Sequence, residues 1–144
     1  CWDLRKGNSE HLQTYVLDTF SPSIPDLPFQ PDAFISLNLL NQLDVLLVEF
    51  LQKKKVPVID AEVRRFRKKI QQFHLDWITR KPGCLVTDAV EVNHGPDDQT
   101  EERPLLYVDL PEARRSDEWT WDFDLAGTYH PGKESRMKVR AVEW

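Results

Sequence analysis

The hydrophobic period of this chain changes at Pro82-Gly83. Before this point apolar residues recur at steps of three and four, which is typical of amphipathic helices. After it they alternate with polar residues, as in strands that bury one face. Helices followed by strands, instead of alternating with them, indicate an α+β fold. We therefore predict N-terminal helices, a short helix plus an antiparallel helical hairpin, packed on a small C-terminal antiparallel β-sheet.

Three helices are predicted in the first part of the chain. The first is short and begins at about Ser9. The second covers roughly residues 33–54 after Asp32 as its N-cap, and it is apolar over most of its circumference, as central helices are. The third begins at Asp60 and ends at about Arg80. Its apolar residues form a narrow stripe that suits packing along the second helix: Ile59, Val63, Phe66, Ile70, Phe73 and Trp77.

Four strands are predicted after Gly83. They cover about residues 84–92, 104–110, 118–129 and 137–144, and a polar loop lies between the first two. In the third strand, Trp119, Trp121 and Phe123 alternate with polar residues and are predicted to face the helices.

The length and ends of the chain set expectations about its organisation. Its 144 residues fit one domain, so we predict a single α+β domain over 1–144, with a helical part at about 9–81 and a β part at about 84–144. The start at Cys1 and the end inside a strand pattern favour a fragment of a longer chain. Only two cysteines occur and no apolar run is long enough to cross a bilayer. We therefore expect an intracellular protein, in the cytoplasm or nucleus and without a membrane segment, with an acylated Cys1 as the alternative.

Charge is unevenly distributed along the sequence. Residues 53–81 contain ten Lys or Arg against three Asp or Glu, whereas the remaining residues contain nine against twenty-one, in a chain of net charge −5. Such separation is an argument about partners. The basic residues that we single out for binding phosphate or an acidic partner, called the basic set below, are Lys53, Lys54, Lys55, Arg64, Arg65, Arg67, Lys68 and Lys69.

The basic set has three interpretations. It forms the solvated face of a packed helix, or it binds an acidic protein, or it contacts several phosphates of a nucleic acid. The complementary acidic region also allows a homo-oligomer that joins charge-complementary faces. No zinc-finger spacing, RNA-binding signature or basic zipper accompanies the set, which weakens the nucleic-acid interpretation.

Motifs for chemistry are scarce. There is no glycine-rich phosphate loop and no nucleophile motif, and the four histidines are scattered, so we expect no catalytic residue, metal site or cofactor. Asp122 and Asp124 lie on one side of a predicted strand and would suit Mg²⁺, as in a metal-dependent phosphodiesterase or nuclease. No lysine follows them at the spacing common in nucleases, and the polar face of an amphipathic strand explains both carboxylates.

The sequence lacks catalytic motifs, separates its charges and contains many aromatic residues. Together these features favour a non-catalytic protein–protein interaction module, a subunit or adaptor of a larger assembly. Trp144 departs from the strand alternation and is the aromatic residue predicted to face a partner. Nucleic-acid binding through the predicted basic hairpin, residues 53–81, is the alternative. A metal-dependent phosphodiesterase or nuclease-like enzyme ranks third.

Overall fold

The computed structural model describes residues 20–24, 26–55, 59–96 and 99–144. These residues form two helices and five strands. The helices are α1 (Val45–Lys53) and α2 (Asp60–Ile78). The strands are β1 (Phe34–Leu37), β2 (Gly83–His94), β3 (Thr100–Pro104), β4 (Arg115–Asp124) and β5 (Glu134–Glu143).

The five strands form one mixed sheet in the order β1-β2-β5-β4, with β3 also paired to β2. β1 is parallel to β2, whereas β5 is antiparallel to both β2 and β4, so β1, β2 and β4 run in the same direction. β2 is the central strand. One of its edges pairs with β5, and the other pairs first with β1 and then with β3.

The connection from β1 to β2 contains both helices, and α2 packs on one face of the sheet. The rings of Phe34 on β1 and Trp77 on α2 are 5.2 Å apart, and Ser36 Oγ lies 2.9 Å from His74 Nε2. Leu85 belongs to the buried cluster beneath this helix. The full cluster is Leu40, Leu75, Ile78, Leu85 and Val142.

The predicted helix over 33–54 is wrong, and with it the helical hairpin. Phe34–Leu37 is a strand, and α1 begins only at Val45. Asn38 has a φ of 51°, in the left-handed region that asparagine tolerates, and this conformation ends β1 and turns the chain away. β1 has only four residues, with Ser36 buried and Ile35 and Leu37 exposed, and so short an alternation is not distinguished from the helical period that the surrounding apolar residues also fit.

The predicted antiparallel sheet is also wrong, because β1 joins β2 in parallel. Gly83 permits this close approach, since a side chain there would collide with the carbonyl oxygen of Phe34. β3 lies in the predicted polar loop, and residues 105–110 form no strand. Gln71 holds that segment instead: its Nε2 donates to the Leu105 carbonyl at 2.8 Å, and its Oε1 accepts from the Tyr107 amide at 2.8 Å.

β4 does not bury the aromatic face predicted for it. Trp119, Trp121 and Phe123 are 43, 43 and 40% exposed. The reason is that β4 pairs only with β5 at one end of the sheet, whereas α2 packs over β1 and β2 at the other. The short first helix predicted at about Ser9 lies outside the described residues. Neither helix in the described part of the chain combines the length and apolar character needed to cross a membrane.

Candidate functional site

A cavity of about 360 Å³ opens where the carboxyl end of β1 leaves the sheet, and we call it the edge cavity. The chain after β1, the middle of β2, β3, β4 and the turn before β5 all line it. The residues used below are Asn38, Asn41, Asp44, Arg67, Asp88, Glu91, Arg103, Trp121, Phe123 and Tyr129.

The edge cavity exists because β1 and β3 use different parts of the same edge of β2. Residues 87–89 pair with neither strand. The Asn38 side chain continues the ladder for one step, since its Oδ1 accepts from the Asp88 amide at 3.2 Å. Leu105 closes the other side by donating its amide to the Ala89 carbonyl at 2.9 Å. Ligands of open α/β sheets bind outside the carboxyl ends of parallel strands, and the edge cavity lies at such an end.

Two acceptors in the edge cavity have no hydrogen-bond partner in the described part of the chain, and one of them, Asn41 Oδ1, is itself buried. Asp88 is only 7% exposed, and its carboxylate makes no hydrogen bond or ion pair with the described residues. Asn41 Oδ1 is a buried atom, and it has no hydrogen bond in the part of the chain that the structure describes. Buried polar atoms in proteins are nearly always paired, and an unpaired one lowers stability. These two atoms therefore point to a ligand that donates hydrogen bonds.

Glu91 is a second carboxylate of the cavity, and it is fully buried and paired. His130 Nε2 donates to its Oε1 at 2.5 Å, and the Arg103 guanidinium contacts its Oε2. Burial alone would raise the pKa of Glu91, but the hydrogen bond from His130 and the charge of Arg103 outweigh it and lower the pKa. Glu91 is therefore ionised at neutral pH.

The third carboxylate, Asp44, is held by α2. Arg67 Nε donates to Asp44 Oδ2 at 2.6 Å, and Arg67 NH1 donates to the Tyr107 hydroxyl at 3.3 Å. Burial alone would lower the pKa of Arg67, but the hydrogen bonds to Asp44 and Tyr107 outweigh it and raise the pKa. This pair joins the α2 side of the cavity to the turn after β1.

An aromatic wall closes the cavity on the β4 side, and it consists of Trp121, Phe123 and Tyr129. The rings meet edge to face, with centroids 5.7 Å apart for Trp121 and Phe123 and 5.1 Å apart for Phe123 and Tyr129. All three rings are partly exposed. The edge cavity thus has carboxylates among its buried residues and aromatic rings at its solvent-exposed side.

The structure brings only Arg67 of the basic set into the edge cavity. Lys53 pairs with Glu49 at 3.6 Å, Lys54 lies 5.7 Å from the Phe50 ring centroid, and Lys69 Nζ donates to the Phe20 carbonyl at 2.6 Å. The remaining members, all exposed, are Lys55, Arg64, Arg65 and Lys68.

The other sequence candidates lie outside the cavity. Trp144 packs against the buried cluster, and its Nε1 donates to the Lys81 carbonyl at 2.7 Å. Asp122 accepts from Arg136 Nε at 2.9 Å, and Asp124 accepts backbone amides of the following turn, above all that of Tyr129, which lower its pKa. Among residues 20–24, 26–55, 59–96 and 99–144, no group of three or more His, Cys, Asp or Glu is placed to hold a metal ion.

Sequence reasoning did not identify Asn38, Asn41 or Asp88 as site residues. One signal was present: Asp88 and Glu91 are charged residues inside an otherwise apolar strand pattern.

A scan against protein-family models and searches of the curated proteins and of the solved structures find no match to this chain. The function therefore has to be argued from the geometry of the site.

Proposed function

We propose that the protein binds a small organic cation, a protonated amine, in the edge cavity. The observation that carries the proposal is the Asp88 carboxylate, which belongs to a residue only 7% exposed at the end of a parallel strand pair and has no partner among the described residues. The buried Asn41 Oδ1, also without a hydrogen bond there, lies in the same cavity. An ammonium group supplies both a positive charge and several N–H donors. It would satisfy both acceptors at once.

The aromatic wall supports the same ligand class. Ammonium groups are attracted to aromatic faces, and the combination of carboxylate and rings is the usual chemistry of sites for organic cations. The volume of about 360 Å³ lies within the range of small-molecule pockets, at its lower end. Glu49 also lines the cavity, and Asp44, Glu49 and Glu91 all have cationic partners, so Asp88 is the lining carboxylate left to bind the ligand charge.

Calorimetry with matched probes tests the proposal. Benzylamine, which is protonated at neutral pH, should bind at least about tenfold more tightly than benzyl alcohol, since one charge-assisted hydrogen bond is worth more than that factor. Asp88→Asn should remove the difference. Asp109→Asn, a change at an exposed carboxylate outside the cavity, is the control and should keep it. Equal affinity for amine and alcohol in the unmodified protein would refute the proposal.

A protein–protein interaction role is the second candidate, and exposed apolar residues support it. Ile35, Leu37 and Leu46 are 72, 62 and 81% exposed. Ile35 and Leu37 alternate with Phe34 and Ser36, which face α2, so they lie on the opposite face of the sheet. Isolated exposed apolar residues are ordinary, but neighbouring ones on a strand favour an interface.

Native mass measurement of the full-length protein from its source tests this second role. A stable complex that is lost in the double variant Ile35→Lys, Leu37→Lys is the expected result. A monomer under the same conditions would count against an adaptor or subunit.

Nucleic-acid binding is a third proposal, supported by the exposed Arg64 and Lys68, which lie one turn apart on α2. Anisotropy of labelled duplex and single strands across a salt series is the test, because phosphate contacts weaken steeply with salt. Charge reversal at both residues should abolish binding, and no binding at low salt would end this proposal.

A further inference from the structure

The turn between β4 and β5, residues 125–133, carries Tyr129 and is anchored at its beginning by Asp124. Asp124 Oδ2 accepts the amides of Thr128 and Tyr129, both at 2.6 Å, and its Oδ1 accepts the amide of Ala126 at 3.0 Å. Gly127, with a φ of 67°, supplies a left-handed position that other residues adopt with strain. The turn therefore has a defined backbone near its start.

A second anchor ties the same turn to the centre of the sheet. His130, the residue after Tyr129, donates to the fully buried Glu91 on β2. The rings of Tyr129 and His130 are 4.5 Å apart, so the position of one constrains the other. Asn93 Nδ2 approaches Glu91 Oε1 at 3.4 Å, and Ser135 Oγ donates to Asn93 Oδ1 at 2.7 Å, which fixes the carboxylate from behind.

We infer that Glu91 is a positioning residue for ligand recognition: through His130 it holds the Tyr129 ring at the mouth of the edge cavity. This inference rests on the proposed function. A partly exposed ring on a surface turn would otherwise lose conformational freedom when a ligand binds, and prior anchoring removes that cost. The anchor makes the site selective for amines that carry a ring next to the charged nitrogen, because the ring meets a wall that is already in place.

Affinities for two amines separate this role from a purely structural one. Benzylamine and methylamine share the ammonium group, but only benzylamine reaches the aromatic wall. We expect the unmodified protein to prefer benzylamine by about tenfold, the size of one favourable ring contact. His130→Ala should reduce this ratio to about twofold or less while methylamine affinity stays within about twofold, since Asp88 and Asn41 are unchanged.

Three further variants complete the experiment. His130→Gln, which retains a donor for Glu91, should keep most of the preference. Tyr129→Leu, which leaves the anchor intact, should lose the preference even if His130→Ala does not fold. Trp119→Leu removes an aromatic residue of β4 that lies outside the edge cavity and should leave the ratio unchanged.

The outcomes distinguish the inference from the function on which it rests. If the unmodified protein binds neither amine, the proposed function is wrong, and the positioning role falls with it. If it binds both amines and the ratio is the same in His130→Ala and Tyr129→Leu as in the unmodified protein, the positioning role alone is overturned. A parallel loss of affinity for both amines in His130→Ala, with the ratio kept, would mean that the anchor is only structural.

Discussion

Replacing Asp88 by asparagine should make this protein more stable and at the same time weaken binding at the proposed ligand site. Asp88 is 7% exposed as a residue, and its carboxylate has no hydrogen bond or ion pair among the described residues. Asparagine has nearly the same shape and no charge to desolvate. The backbone amide of the residue donates to Asn38 Oδ1, and that contact survives the substitution. Stability and binding should therefore change in opposite directions.

The magnitude follows from the burial of the side chain. An unsatisfied buried polar group costs about 1–3 kcal/mol, and more if it is charged. Because the edge cavity opens to solvent, water reduces that cost, and we expect the free energy of unfolding to rise by about 1.5 kcal/mol. In a domain of this size such a gain raises the melting temperature by about 5 °C. Affinity for benzylamine should fall by about tenfold or more, as expected for a lost charge-assisted hydrogen bond.

Urea denaturation and calorimetry on the same samples measure both effects. Asp109→Asn is the matched control, because Asp109 is exposed and outside the cavity, and it should change neither quantity. If Asp88→Asn lowers the free energy of unfolding, the carboxylate has a structural partner and the reasoning is refuted. Higher stability with unchanged affinity would refute the assignment of Asp88 to the ligand.

Three further results are expected from the packing. Burial lowers the pKa of His74 from its ordinary value of 6.5. The stability that neutral His74 contributes is therefore complete above pH 6.5 and is lost as the pH falls from there toward the folded pKa. His74→Gln should reduce this pH dependence of the free energy of unfolding, measured by urea denaturation at a series of pH values. Arg67→Ala leaves Asp44 buried and unpaired and should cost about 3 kcal/mol in thermal unfolding, whereas Arg64→Ala at an exposed position should cost less than about 0.5 kcal/mol. Leu85→Ala empties a fully buried position and should cost about 2–5 kcal/mol by urea titration; a smaller loss would mean that the cluster under α2 relaxes around the gap.

Where the sequence pattern is local, it predicted the structure closely. The predicted third helix, from Asp60 to about Arg80, corresponds to α2, which spans Asp60–Ile78. Phe66 and Ile70 of its apolar stripe are buried, as predicted. Met137 and Val139 of β5 also face inward, as the alternation indicated. Each of these features depends on the spacing of apolar residues within one helix or strand, and that spacing is visible in the sequence whatever the element packs against.

The edge cavity is different, because its residues meet only through pairings across the chain. Asn38 contacts Asp88, fifty positions away, and Glu91 contacts His130, thirty-nine positions away. Neither pairing leaves a periodic mark in the sequence. The prediction of a central helix over 33–54 also placed Asn38 in a helix instead of at the end of a strand paired with β2. The contact between Asn38 and Asp88 was therefore not expected from the sequence.

The sequence by itself determined the amphipathic helix before Pro82, the alternating strands after Gly83 and the separation of basic from acidic residues. Tertiary structure alone decided that Phe34–Leu37 becomes a strand parallel to β2, and that the Asp88 carboxylate and the buried Asn41 Oδ1 have no hydrogen-bond partner among the described residues beside it. The physical reason is that the hydrogen bonds of a helix form within one segment, whereas those of a short edge strand are supplied by a strand distant in the sequence.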